Sequence, residues 1–187
     1  MIEKASNLKY LKMGEKGDIN AFSAILKEAL QQKNPITISN SITGIRIPGG
    51  SYNDMNYLNM VGFPSLKELI IGEKCFLGTE SVRLERMESI ESLHIGASSF
   101  YNVQNVTIQS LPSLETVSLE ENSLYCNHSN SSVILSDLPS LQNITSEGSS
   151  FRGASSVTIS NTPNVTVVEL PFGFENTDNR FISGEFN

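Results

Sequence analysis

The chain has 187 residues, 39% of them hydrophobic, and a formal net charge of -7. These values exclude a disordered or collagen-like chain, and the excess of 20 acidic over 13 basic residues argues against a nucleic-acid-binding module. No apolar run reaches the roughly 18 residues of a membrane span, and the lysine-containing first twenty residues do not resemble a signal peptide.

The first 38 residues differ in pattern from the rest. Asp18 is a suitable helix N-cap, and apolar residues follow it at helical spacing until Asn34-Pro35 ends the pattern. We therefore predict a divergent repeat with a capping helix over residues 1–38, which covers the first end of a solenoid. Residues 39–187 are predicted to form that solenoid as one continuous domain.

A four-residue motif recurs from residue 63 onwards at steps of 24, 24, 27 and 24. Two triplets of apolar, variable and apolar residues accompany each copy, as in half-buried strands. The last triplet falls at Phe181-Ile182-Ser183, one full period after the triplet that begins at Val157. Two strands per copy predict a mainly β solenoid with two short parallel sheets and about 24 residues per coil. The motif copies are Phe63-Pro64-Ser65-Leu66, Met87-Glu88-Ser89-Ile90, Leu111-Pro112-Ser113-Leu114, Leu138-Pro139-Ser140-Leu141 and Thr162-Pro163-Asn164-Val165.

The spacing Leu114-x-x-Val117-x-Leu119-x-x-Asn122-x-Leu124 resembles the signature of the leucine-rich repeat superfamily. The repeated Leu-Pro-Ser-Leu motif with a later Ile-Gly and Ser-Phe is most similar to the BspA-like repeats of microbial surface proteins. The resemblance covers about residues 36–187. It implies a leucine-rich repeat solenoid and a non-enzymatic binding module for protein–protein recognition or adhesion, with the concave sheet as the binding surface.

Three adjacent columns of residues lie at the corner of each coil. Only Asn122 occupies the position where the superfamily usually has asparagine. We predict that the next column points inward and bonds to neighbouring backbone, and that the column after it stacks as an apolar spine. The inward polar column is Ser51, Cys75, Ser99, Ser123 and Ser150, and the apolar spine is Tyr52, Phe76, Phe100, Leu124 and Phe151.

The outward residues of the first strand in each copy form the candidate binding surface. They are mostly small and polar, which fits a protein or glycan ligand but equally fits a solvated face without a ligand. The second sheet presents a similar serine- and threonine-rich face. The candidate binding row is Arg46, Glu68, Ile70, Ser92, His94, Thr116, Ser118, Asn143 and Thr145.

The sequence offers no catalytic, metal or cofactor motif, so we predict no enzymatic activity. His94 has Ser118 beside it in the next copy, but no acidic residue in the row would orient the pair. Cys75 and Cys126 lie two coils apart, roughly 10 Å at the spacing of adjacent strands, which is too far for a disulfide. Cys75 is predicted to face inward, and Cys126 to be exposed in a three-residue insertion near residues 126–130.

Three further features leave alternatives open. Unpaired cysteines and the absence of a leader favour a cytoplasmic location, whereas the family resemblance favours the cell surface. An open C-terminal edge at Phe181 and Ile182 favours a structural array, or a fragment of a longer chain, that self-associates end to end. Glycosylation would require export, and its candidate sites are Asn105, Asn127, Asn130, Asn143 and Asn164.

Overall fold

The computed structural model describes residues 10–12, 42–171 and 179–183, and these residues form a mainly β solenoid. They contain no helix, and the predicted capping helix and the boundary at residue 38 lie outside them. The strands are β1 (Tyr10–Lys12), β2 (Gly44–Ile47), β3 (Tyr57–Val61), β4 (Glu68–Ile71), β5 (Ser81–Glu85), β6 (Ser92–Ile95), β7 (Asn105–Gln109), β8 (Thr116–Leu119), β9 (Ser132–Ser136), β10 (Asn143–Ser146), β11 (Ser156–Ser160), β12 (Val167–Glu169) and β13 (Asn179–Ser183).

From β2 onwards, consecutive strands alternate between two parallel sheets, as the sequence period predicts, whereas β1 lies beside β2 in the same sheet. One sheet has the order β1-β2-β4-β6-β8-β10-β12, and the other has the order β13-β11-β9-β7-β5-β3. His94 pairs with Ser118 in the next copy, and Val106 pairs with Val133 on the far side of the three-residue insertion. The extra residues are therefore accommodated between strands without a change of register. The result is about five turns of about 24 residues.

The interior is filled by the inward residues of both sheets and by the predicted spine. Tyr52 stacks on Phe76 at 5.4 Å between ring centroids, and Phe76 stacks on Phe100 at 4.8 Å. Leu124 and Phe151 continue the column and are fully buried. The apolar spine is confirmed, and each stacked pair adds about 0.5–1.5 kcal/mol to the stabilisation from burial.

Three members of the small polar column beside the spine, Cys75, Ser99 and Ser150, bond to neighbouring backbone, as predicted. Ser99 Oγ donates to the Gly72 carbonyl at 2.7 Å and accepts from the Cys75 amide at 2.9 Å. Ser150 Oγ donates to the Glu120 carbonyl at 3.2 Å. These hydroxyls satisfy backbone groups at the corner that would each cost about 1–3 kcal/mol if buried without a partner.

The last turn departs from the predicted register by one residue. Phe181 pairs with Thr158 and Ile182 with Ile159, so Arg180 rather than Phe181 is opposite Val157. The placement of the final triplet in the column of Val157 is therefore wrong. The coil that leads from β11 to β13 is one residue shorter than the 24-residue period. A shift of one residue exchanges the two faces of a strand.

Candidate functional site: the outward face of the seven-stranded sheet

The nine predicted binding residues lie on one face of the seven-stranded sheet. Parallel pairing places Arg46, Ile70, His94, Ser118 and Thr145 in one row across five neighbouring strands. The same pairing places Glu68, Ser92, Thr116 and Asn143 in a second row. Because adjacent strands lie about 4.8 Å apart, the structure brings the two rows together as a continuous surface.

This surface is shallow because most of its side chains are short. Arg46 is exposed at one end of the row and Glu169 is exposed at the other. All the residues between them in the two rows are half-buried by their neighbours. The face therefore has opposite charges at its two ends and a largely uncharged centre, and His94 carries the only ring among the nine residues.

His94 is held at the centre of the row by a carboxylate that the sequence analysis did not identify. The His94 Nε2 lies 3.1 Å from Glu120 Oε1, and the Ala97 amide donates to Glu120 Oε2 at 2.8 Å. Glu120 occupies the column of Gly72 and Gly96 at the corner of the coil. The column also contains Pro48 and Glu147, so the sequence pattern alone does not single out Glu120.

Nucleophilic catalysis would require the Ser118 hydroxyl to contact the His94 ring. The structure contains no hydrogen bond between these two described residues, although they are partners in the sheet register. Within residues 10–12, 42–171 and 179–183, no group of three histidine, cysteine, aspartate or glutamate side chains is arranged to hold a metal ion. The chemistry available to the row is hydrogen bonding and ion pairing with a ligand.

The opposite sheet carries a charged pair at β5. Arg83 Nη2 lies 2.7 Å from Glu85 Oε2, and the side chain of Glu85 is only 4% exposed. This hydrogen bond raises the pKa of the Arg83 guanidinium. A buried carboxylate needs such a partner because an unpaired buried charge is strongly destabilising, so the pair has a structural role.

Both cysteines are buried and free. Cys75 faces inward as predicted, and its Sγ lies 3.1 Å from the Pro48 carbonyl. The expectation that Cys126 is exposed is wrong, because Cys126 is buried in the core and only 1% exposed, whereas residues 127–130 of the insertion are exposed. Burial raises the pKa of the Cys75 thiol, and it raises the pKa of the Cys126 thiol to about 12.

The five candidate glycosylation sites differ in their surroundings. Asn127 and Asn130 are exposed in the insertion, whereas Asn143 is half-buried on β10. Asn105 is exposed, and its Oδ1 accepts a hydrogen bond from Ser132 Oγ at 2.9 Å. Asn164 is exposed, and its Nδ2 donates to the Pro139 carbonyl at 2.7 Å.

The predicted self-association edge lies on β13. Phe181 and Ile182 belong to this strand, which is the outermost described strand of the six-stranded sheet. On β12, the outermost strand of the other sheet, Val168 is 44% exposed. Its partner in the register, Ile144, is fully buried. Among the described residues, this column of the core is therefore partly exposed to solvent at β12.

An aromatic pair that the repeat pattern did not predict lies at the corner that leads into the six-stranded sheet. The Tyr101 and Tyr125 rings stack at 5.0 Å with an interplanar angle of 9°, and Tyr101 is 40% exposed. Leu77, which occupies the position of Tyr101 in the preceding copy, is also exposed. The sequence does contain a signal for this cluster, because Leu77, Tyr101 and Tyr125 each directly follow a spine residue.

Comparison with protein-family models, with curated proteins and with solved structures gives no match for this chain. None of the residues that the structure describes forms a helix with the length and apolarity needed to cross a lipid bilayer.

Proposed function

We propose that this protein is a leucine-rich repeat module, similar to BspA-like proteins, that binds a protein ligand without catalysing a reaction. The binding surface is the outward face of the seven-stranded sheet, and adhesion is the corresponding cellular role. The coil of about 24 residues supports this assignment. So does the burial of Leu114, Val117, Leu119 and Leu124, the apolar positions of the repeat signature.

The observation that carries the proposal is the fixed His94–Glu120 pair at the centre of the row. Glu120 contacts the His94 ring and accepts a hydrogen bond from the Ala97 amide, and the contact favours the ring orientation seen here before a ligand arrives. Preorganised polar groups reduce the entropic cost of binding. The short neighbours Ser92 and Ser118 leave room for a ligand side chain beside the ring.

The test is a binding screen against purified extracellular-matrix and cell-surface proteins, followed by affinity measurements on each ligand found. We expect Ser118→Arg to weaken binding at least tenfold, about 1.4 kcal/mol, because a long side chain would cover the centre of the row. Thr107→Arg introduces the same side chain on the opposite sheet and should leave the affinity unchanged. The proposal fails if the ligands respond to Thr107→Arg and tolerate Ser118→Arg.

We propose as a second candidate a structural array that self-associates through its C-terminal edge at Phe181 and Ile182. The exposure of Val168, in a column that is otherwise buried, supports this candidate. Light scattering after size exclusion, over a hundredfold range of concentration, should show a mass that rises above 20.5 kDa. A charged substitution, Val168→Lys, should abolish the increase. A constant mass of one chain would exclude this candidate.

A further inference from the structure

An exposed apolar cluster lies at the corner between the two sheets, away from the proposed protein-binding row. It consists of Leu77, Tyr101 and Tyr125, which we call the corner ladder. The two tyrosine rings are nearly parallel and 5.0 Å apart, and Tyr101 and Leu77 rank among the most exposed large hydrophobic residues described. Tyrosine offers apolar contact area together with a hydroxyl group, so the ladder is suited to an amphipathic ligand.

The corner ladder leads directly into an uncharged sheet face. Tyr101 lies four residues before β7, and Tyr125 lies at the start of the segment that leads into β9. The outward residues of β7, β9 and β11 include no charged side chain, whereas Arg83 and Glu85 occupy the corresponding positions on β5. The outward residues of these three strands are Asn105, Thr107, Gln109, Ser132, Ile134, Ser136, Ser156, Thr158 and Ser160.

The polar groups of this face are largely unused within the protein. Ser132 Oγ donates to Asn105 Oδ1 at 2.9 Å. Among the residues that the structure describes, the side chains of Thr107, Ser156 and Thr158 have no hydrogen-bond partner, although all three are half-buried. Hydroxyl groups can both donate and accept, so the face can bond to a ligand that presents hydroxyl groups of its own.

We propose that the corner ladder and the adjoining face of β7 and β9 bind a neutral polysaccharide. A charged polymer would lose solvation here without gaining an opposite charge, which makes its binding unfavourable. A protein partner of ordinary affinity would need a desolvated apolar centre, whereas here the exposed apolar residues lie at one end of the site, in the corner ladder, and the sheet face itself offers only Ile134. A neutral glycan instead matches its uncharged hydroxyl and amide groups, and the tyrosines contact the apolar side of the sugar rings.

The experiment measures retention of the full chain on insoluble cellulose, chitin and β-1,3-glucan, with alginate as an anionic comparison. Bacterial expression keeps Asn105 free of attached sugar. We expect retention on at least one neutral polysaccharide. We also expect at least tenfold weaker binding for the double variant Tyr101→Ala/Tyr125→Ala and for Thr107→Arg. Ser118→Arg, on the opposite sheet, is the matched control and should bind as the original protein does.

Several results would overturn the proposal. These are no retention on any neutral polysaccharide, retention on alginate alone, or equal retention of the original protein and the Thr107→Arg variant. A thermal melt verifies the fold of each variant. If the double alanine variant does not fold, Thr107→Arg decides the test because its side chain points outward. Because Ser118→Arg tests the row on the other sheet, failure here is distinguishable from failure of the proposed protein-binding function.

Discussion

The core of the last turn contains a hydroxyl group without a partner, and its removal should stabilise the protein. Thr162 opens the final copy of the four-residue motif, in the position where Leu111 and Leu138 open earlier copies. It is only 1% exposed, and its Oγ has no hydrogen-bond partner among the described residues. Valine has nearly the same shape as threonine and replaces the hydroxyl by a methyl group.

The expected magnitude follows from the cost of burying a hydroxyl. Mutational data put this cost at about 1–3 kcal/mol when no hydrogen bond compensates. We therefore expect Thr162→Val to raise the free energy of unfolding by about 1–2 kcal/mol. Thr79 is the matched control, because it is equally buried but its Oγ donates to the Met55 carbonyl at 2.7 Å. Thr79→Val should lower the free energy of unfolding by about 1 kcal/mol.

Urea unfolding followed by circular dichroism measures both changes. Because the coils of a solenoid contact only their neighbours, a local change near one end can escape a global measurement. Amide hydrogen exchange of Val157 and Ile159, in the strand that precedes Thr162, therefore provides a second readout. A destabilising Thr162→Val substitution, or a change of the same sign at Thr79 and Thr162, would show that the Thr162 hydroxyl carries no uncompensated cost of burial.

Three further substitutions test the core and the corners. Since burial raises the pKa of the Cys126 thiol from 9.0 to about 12, the unfolded chain ionises first. The contribution of this thiol to the free energy of unfolding, fully present below pH 9, should then be lost as the pH rises through 12. In urea titrations at alkaline pH, the Cys126→Ala variant should lack this loss. A Cβ at Gly96 would lie 2.5 Å from the Gly72 carbonyl carbon, so Gly96→Ala should cost about 1–3 kcal/mol in the same assay. Gly50→Ala, where nothing lies within 4 Å but φ is +74°, should cost about 1–2 kcal/mol and serves as a comparison without a clash.

The repeat period was sufficient to predict the two sheets and both corner columns. A period near 24 with two apolar triplets leaves few arrangements that bury all the triplets at once. A parallel solenoid is one of them, because it stacks equivalent residues of successive coils on one another. Ser99 and Phe100 show this directly, because one bonds to the neighbouring backbone and the other stacks on Phe76. The residues of the candidate row follow from the same columns, since the registers align them.

The features that escaped prediction depend on side-chain reach or on chain length between strands. Glu120 lies outside the row, yet its side chain reaches back to His94 and the Ala97 amide. Cys126 lies in an insertion, whose path no repeat column constrains. Phe181 shifts by one position because the connection before it is one residue shorter, and the repeat period alone does not fix the length of a connection between two strands.

The fold constrains the corner residues more tightly than the outward residues. Phe76, Phe100 and Leu124 all adopt positive φ angles between 52° and 57°, a left-handed conformation that costs about 1–2 kcal/mol for a residue with a Cβ. Their burial returns about 1.5–3 kcal/mol each, and their amides bond to the preceding coil, as Phe100 does to the Cys75 carbonyl at 3.0 Å. Corner residues must therefore satisfy strain, burial and hydrogen bonding together. The outward residues are not subject to all three constraints together. They can therefore be substituted while the fold persists.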